Sequence, residues 1–218
     1  MQMLLEKTKF NLLAFGEMPE RPLHLSVKPL SVNEEFLDGS AILKQMELKL
    51  EFESGNAKLP LSVIMPKFNP PCPAVVIIGE EKKIDDNALE WVNKGYAVFY
   101  LCYIDISANN GNFKSGISAY ISPTRRKKSS AGKIAVWAWV AIRALEYAEV
   151  LKDIDKNNIG IVGKGIFGLS ALLADKSCDN FSFVLPTNLP KIDKGFVLSN
   201  PHLFSPEFVK SQHFDNNT

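Results

Sequence analysis

The stretch Ile159-Gly-Ile-Val-Gly163-Lys-Gly165-Ile-Phe-Gly168-Leu-Ser-Ala-Leu-Leu-Ala174 reads as a buried strand, a sharp glycine-rich turn and a helix in immediate succession. By spacing, Gly163, Gly165 and Gly168 form G-x-G-x-x-G, a loop that lets a dinucleotide pyrophosphate approach a helix N-terminus. By context, the same residues form the strand-to-helix turn that presents a catalytic nucleophile, with glycine in the nucleophile's place. The two readings lead to different folds and different chemistry, and the flanking segments bear on both.

Upstream, the order of elements points to an α/β sheet. Residues 1–40 are rich in proline and short apolar pieces (Pro19, Pro22, Pro29) and read as an irregular arm, with residues 41–218 forming a single domain. Ile42 to Phe52 and Leu59 to Met65, joined through Ser54-Gly55-Asn56, predict an antiparallel hairpin. Ala74-Val-Val-Ile-Ile78 is a continuous apolar run of the kind buried on both faces of a parallel sheet. Asp85 or Asp86 can cap a helix that Gly95 ends, and Tyr96 to Tyr103 follows as the next strand. Ile134 to Leu151 predicts a helix packing one face through Trp137, Val140, Ala144, Leu145 and Ala148. Past the glycine turn, Phe181 to Pro186 reads as a further strand, so strands and helices alternate as in a sheet with right-handed crossovers.

Between these elements, Ile104 to about Ser130 is a long loop, and loops of that length in compact domains are functional or mobile. Its basic run Arg125-Arg-Lys-Lys128 has no aromatic residue interleaved, so it reads as a solvated loop rather than an anion site.

Bulk properties narrow the class. The chain has 218 residues, a formal net charge of +1 and a mean hydropathy of -0.02, which fits one globular domain with a sizeable core. Near-neutral charge gives no reason to expect nucleic acid or an acidic membrane as partner. Cys72, Cys102 and Cys178 lack metal-ligand spacing and read as reduced thiols. Glu6, Lys7 and Lys9 interrupt the apolar residues at the start, and no segment approaches the roughly 20 apolar residues of a membrane span. The expectation is a cytoplasmic protein.

Several pieces, in order, carry a specific resemblance: Asp38-Gly-Ser-Ala-Ile-Leu-Lys-Gln45, Lys94-Gly-Tyr-Ala-Val98, Ala135-Val-Trp-Ala-Trp-Val-Ala-Ile-Arg-Ala-Leu-Glu-Tyr147, Asn158-Ile-Gly-Ile-Val-Gly163 after Asp155, and Pro201-His-Leu-Phe-Ser-Pro-Glu-Phe208. From about Phe36 to Phe208 the chain resembles the α/β-hydrolase superfamily, in the branch of bacterial acetylxylan-esterase-like and glucuronoyl-esterase-like carbohydrate esterases. The resemblance implies an α/β fold: a mostly parallel sheet with an N-terminal antiparallel hairpin, helices on both faces, and the last strands lacking. It implies acylated or uronoyl-esterified saccharides as the family's substrates.

Active members of that branch carry Gly-His-Ser-Arg-x-Gly at the turn. Transferred residue by residue, the His position holds Lys164, the nucleophilic Ser position Gly165, and the oxyanion-binding Arg position Ile166; the structural glycines Gly163 and Gly168 remain. A serine hydrolase needs a hydroxyl, a general base and oxyanion donors, and Gly165 offers no hydroxyl. The family places its acid and histidine after two further strands, for which about thirty residues do not suffice; His24, His202 and His213 lie elsewhere. Ser170, inside the following helix, reads as bonding its own backbone, and no histidine is placed beside Cys102 or Cys178.

Three functional readings follow. One is a non-catalytic, esterase-like protein that has kept the scaffold and binds a small molecule, a carbohydrate or a protein. The second is a carbohydrate esterase working through other residues or a partner chain. The third is a dinucleotide-binding protein through Gly163, Gly165 and Gly168, against which stands the absence of a carboxylate in Pro186-Thr-Asn-Leu-Pro190, where the ribose hydroxyls would be held. The first reading requires no cofactor and no metal. The Phe181 strand, without a later strand beside it, is expected either to be covered by Pro201 to Lys210 or to pair with a second copy of the chain.

Overall fold

The computed structural model describes residues 12–68, 70–122 and 125–214. A short helix α1 (Leu12–Phe15) precedes three long strands, β1 (His24–Phe36), β2 (Ala41–Phe52) and β3 (Gly55–Pro66). Then come β4 (Cys72–Gly79), α2 (Asp86–Asn93), β5 (Ala97–Cys102), two helical turns α3 (Tyr103–Ile106) and α4 (Ser118–Ile121), and the long helix α5 (Lys133–Glu149). The strand β6 (Ile154–Lys164) leads through the glycine turn into α6 (Ile166–Ser177). The chain continues through β7 (Phe183–Thr187), α7 (Lys194–Ser199), a 3-10 turn at Pro201–Leu203 and α8 (Pro206–Phe214).

One seven-stranded sheet in the order β1-β2-β3-β5-β4-β6-β7 holds these together. β1, β2 and β3 pair antiparallel, β3 pairs antiparallel with β5, and β4, β5, β6 and β7 run parallel. In β4 the period-2 pattern sorts the apolar run onto two cores: Ala74, Val76 and Ile78 on one face, Val75 and Ile77 on the other. The first face is covered by α1, α5 and α6, the second by Ala88 and Val92 of α2. Asp85 caps α2 by accepting from the Ala88 amide at 2.9 Å, and Gly95 follows its C-cap at φ +86°.

The structure corrects the expected irregular arm: residues 24–36 of it form a 13-residue edge strand. Pro29 and mostly exposed side chains hide the strand pattern there, and both suit an edge, where one row of amides needs no partner. Opposite Pro29 the register with β2 slips, a bulge that accommodates the missing amide. The hairpin turn lies at Glu53–Ser54, since Phe52 pairs with Gly55.

Helix α5 does not pack one face alone. Fourteen of its 17 residues are buried, because the sheet, α6, α1 and the 3-10 turn surround it. The described part of the segment after Pro201 does not cover β7. It packs on α1, α5 and α7, and β7 has β6 as its single strand neighbour among the described residues. No helix among the described residues is long and apolar enough to cross a membrane.

Candidate functional site

In a parallel α/β sheet, ligands bind outside the carboxyl ends of the strands, where loops leave and helices begin. That face carries the ends of β4 at Gly79, β5 at Cys102, β6 at Lys164 and β7 at Thr187, and the starts of α5 and α6. Rings tie it together: Phe167 lies 5.3 Å from Tyr103 and 5.1 Å from Trp137, and Tyr103 lies 6.1 Å from Trp137.

The glycine turn has one backbone role per glycine. Gly165 sits at φ +59° and ψ −126°, a conformation that side-chain-bearing residues adopt at a cost, and a Cβ placed on it would meet nothing within 4 Å. Its amide is fixed by the Thr187 carbonyl at 2.9 Å. Gly163 lets α6 close on β6, since a Cβ there would lie 2.3 Å from the Phe167 carbonyl oxygen; one on Gly168 would lie 2.8 Å from Leu189. Lys164 is exposed and Ile166 packs against the core. The turn thus has the strand-turn-helix backbone that the sequence reading expects of a nucleophile-presenting elbow, and the space beside Gly165 is open. Ser170 is buried and bonds the Ile166 carbonyl at 3.4 Å.

The dinucleotide reading fares worse on topology. In a doubly wound nucleotide fold the glycine turn follows the first strand of the parallel set. Here that strand is β4, and G-x-G-x-x-G follows β6.

A second cluster on the same face was not visible in the sequence. Lys133, the first residue of α5, is fully buried and donates to Ser107 Oγ, to the Asn112 carbonyl at 2.6 Å and to Ser118 Oγ at 3.3 Å. The two hydroxyls lie 2.6 Å apart, and Trp137 Nε1 donates to the Ser107 carbonyl at 2.9 Å. Burial, with the Arg126 charge adding to it, pulls the Lys133 ammonium down to about 8. A serine pair beside an amine is nucleophile chemistry in outline. Ser107 and Ser118 are 1% and 0% exposed, however, so the arrangement pins the long loop to α5 and offers no atom to a substrate.

Arg126 departs from the solvated basic run. Arg125, Lys127 and Lys128 are exposed, whereas Arg126 is half-buried with its guanidinium 3.6 Å from the centre of the Phe113 ring, and Lys133 Nζ is 4.2 Å from that ring. The aromatic partner comes from thirteen positions upstream, which explains why the run itself gave no sign of it. Of the histidines, His24 opens β1 exposed, His213 is exposed on α8, and His202 Nε2 lies 2.8 Å from Asn109 Oδ1. Burial, then the Lys133 charge, lowers the His202 pKa.

The three cysteines are unpaired, and burial raises each thiol pKa, which disfavours the reactive thiolate. Among the described residues, no His, Cys, Asp or Glu side chains gather as a metal site.

No protein-family model matches the sequence, and no curated protein matches it significantly. Solved structures do match. A glucuronoyl esterase from Solibacter usitatus superposes with a TM-score of 0.79 at 21% identity, covering 96% of this chain and 66% of that one. A CE15 glucuronoyl esterase from Teredinibacter turnerae gives 0.78 at 20%, covering 97% and 59%. A mutant glucuronoyl esterase from Sporotrichum thermophile, in complex with methyl 4-O-methyl-beta-D-glucopyranuronate, gives 0.68 at 17%, covering 94% and 57%. The chain thus spans about three fifths to two thirds of the length of these structures. Its fold is the α/β-hydrolase fold of the glucuronoyl esterases.

Proposed function

We propose that this protein is a non-catalytic member of the esterase-like α/β-hydrolase fold, which binds a ligand at its carboxyl-end face instead of cleaving it. The observation that carries this reading is Gly165: the elbow backbone and the space above it are kept, and no hydroxyl fills that space. Without an attacking oxygen, the acyl-enzyme route has no first step. Lys164 and Ile166, where the esterase branch has histidine and arginine, supply neither its imidazole nor its guanidinium. The structural neighbours make uronate saccharides and their esters the first ligands to test, because one neighbour was solved with methyl 4-O-methyl-beta-D-glucopyranuronate.

The test pairs turnover with binding. Benzyl glucuronate ester is expected to show no saturable hydrolysis above background, while methyl 4-O-methyl-glucuronate titrated by calorimetry gives a saturable heat. Saturable hydrolysis that survives repurification would overturn the reading and leave an esterase working through other residues.

A further inference from the structure

A groove of about 370 Å³ runs between the loop before α5 and the chain's last described helix. Its apolar walls are Pro201, Phe204, Pro206 and Val209, and its polar rim is Arg126, Lys210 and His213. No carboxylate lines it among the described residues, and Glu207, the acid of α8, is exposed outside it. Volumes of this order hold small ligands. We propose that this groove is a binding site for a small organic carboxylate with an apolar body, its acid group held by Arg126.

Arg126 is built into the site. One face of the guanidinium is stacked on Phe113, and Nη2 donates to the carbonyls of Ala131 at 2.9 Å and Ser130 at 3.4 Å. Nε is buried without a partner, and Nη1 bonds to no described residue, yet is not among the buried unpartnered atoms. That leaves Nη1 as the edge with solvent access. Neither Arg126 nor the buried Lys133 behind it is ion-paired among the described residues, so two cations share one aromatic ring with no counter-charge. Burial already disfavours the charged guanidinium. An anion on Nη1 offsets that cost and forms a charge-assisted hydrogen bond in a partly desolvated setting.

The helix beside the groove decides between carboxylate and phosphate. Phosphate sites at helix ends depend on free backbone amides. At the start of α8 none remains: Pro206 has no amide hydrogen, Glu207 N donates to the Lys128 carbonyl, Phe208 N to Ser205 Oγ, and Val209 N to the Ser205 carbonyl. A ligand anion meets the Arg126 guanidinium and no free amide of α8, and apolar walls solvate a second negative charge poorly. A singly charged carboxylate on a hydrocarbon body suits both halves of the groove.

The experiment titrates the full chain with cinnamate, cinnamyl alcohol and phenyl phosphate, by calorimetry and saturation-transfer NMR. Cinnamate is expected to bind saturably and at least tenfold more tightly than the alcohol, weakening as salt is raised. R126Q should lower cinnamate affinity at least tenfold. Because Arg126 also anchors the loop, H213E on the exposed side of α8 serves as the second variant, and there the added charge should weaken cinnamate several-fold without changing the melting temperature. Equal binding of acid and alcohol, unchanged affinity in both variants, or phenyl phosphate binding more tightly than cinnamate would each overturn the assignment.

Discussion

At the scale of single residues, the elbow separates two costs that glycine avoids. In G163A the new Cβ would sit 2.3 Å from a backbone carbonyl, and neither β6 nor α6 can yield without moving. We expect a loss on the order of 3 kcal/mol or more, read as a large drop in the urea midpoint. G95A, at φ +86° with nothing within 4 Å, should lose about 1–2 kcal/mol from conformation alone. G165S fits sterically, at the same order of conformational cost, and is expected to hydrolyse no ester because no activating base comes with the hydroxyl. Lys133 gives a pH signature. Its folded pKa is about 8 against an ordinary 10.5, so between those values the unfolded chain binds the extra proton and stability rises with pH. Relative to K133M, the wild type should therefore gain on the order of 2–3 kcal/mol from pH 7.5 to pH 10.5, measured by denaturant melts of both proteins. A difference that stays flat with pH would show that Lys133 titrates normally. The glycines were legible in the sequence because their roles are local. Lys133 and Arg126 were not, since Ser107, Asn112, Phe113 and Ser118 reach them from other turns of the long loop.

At the scale of elements, the sequence was most readable where burial is complete. β4 and β5 announced themselves as unbroken apolar runs, and α2 carried its own start and stop in Asp85 and Gly95. Removing the cap in D85A should cost about 1 kcal/mol, because the Ala88 amide then lacks its carboxylate. β1 was hidden for the opposite reason: an edge strand with few buried side chains has little hydrophobic period to show, and Pro29 looks like a stop. In α5 the pattern predicted one packed face, but burial on nearly all sides follows from neighbours that the pattern of one helix cannot reveal.

At the scale of the whole molecule, the two edge strands of the sheet among the described residues differ in character. β1 carries Lys28, Glu34 and Glu35, charges that oppose edge-to-edge pairing. β7, Phe-Val-Leu-Pro-Thr, carries none, exposes Leu185 and relies on Pro186 alone. Self-association, if it runs through an edge, should run through β7: sedimentation at rising concentration is expected to show a dimer that L185K abolishes, and a strict monomer at all concentrations would sink this. Inside the sheet the strands are joined unevenly. β1 and β2 pair over ten residue pairs and β2 and β3 over twelve, but β3 meets β5 through three, Ser62 with Tyr100, Val63 with Phe99 and Ile64 with Val98. Under mechanical load that seam is the weak line of the molecule. Stretched in optical tweezers, the chain should yield in two steps, the three-stranded meander parting from β4 to β7 before the parallel half gives way.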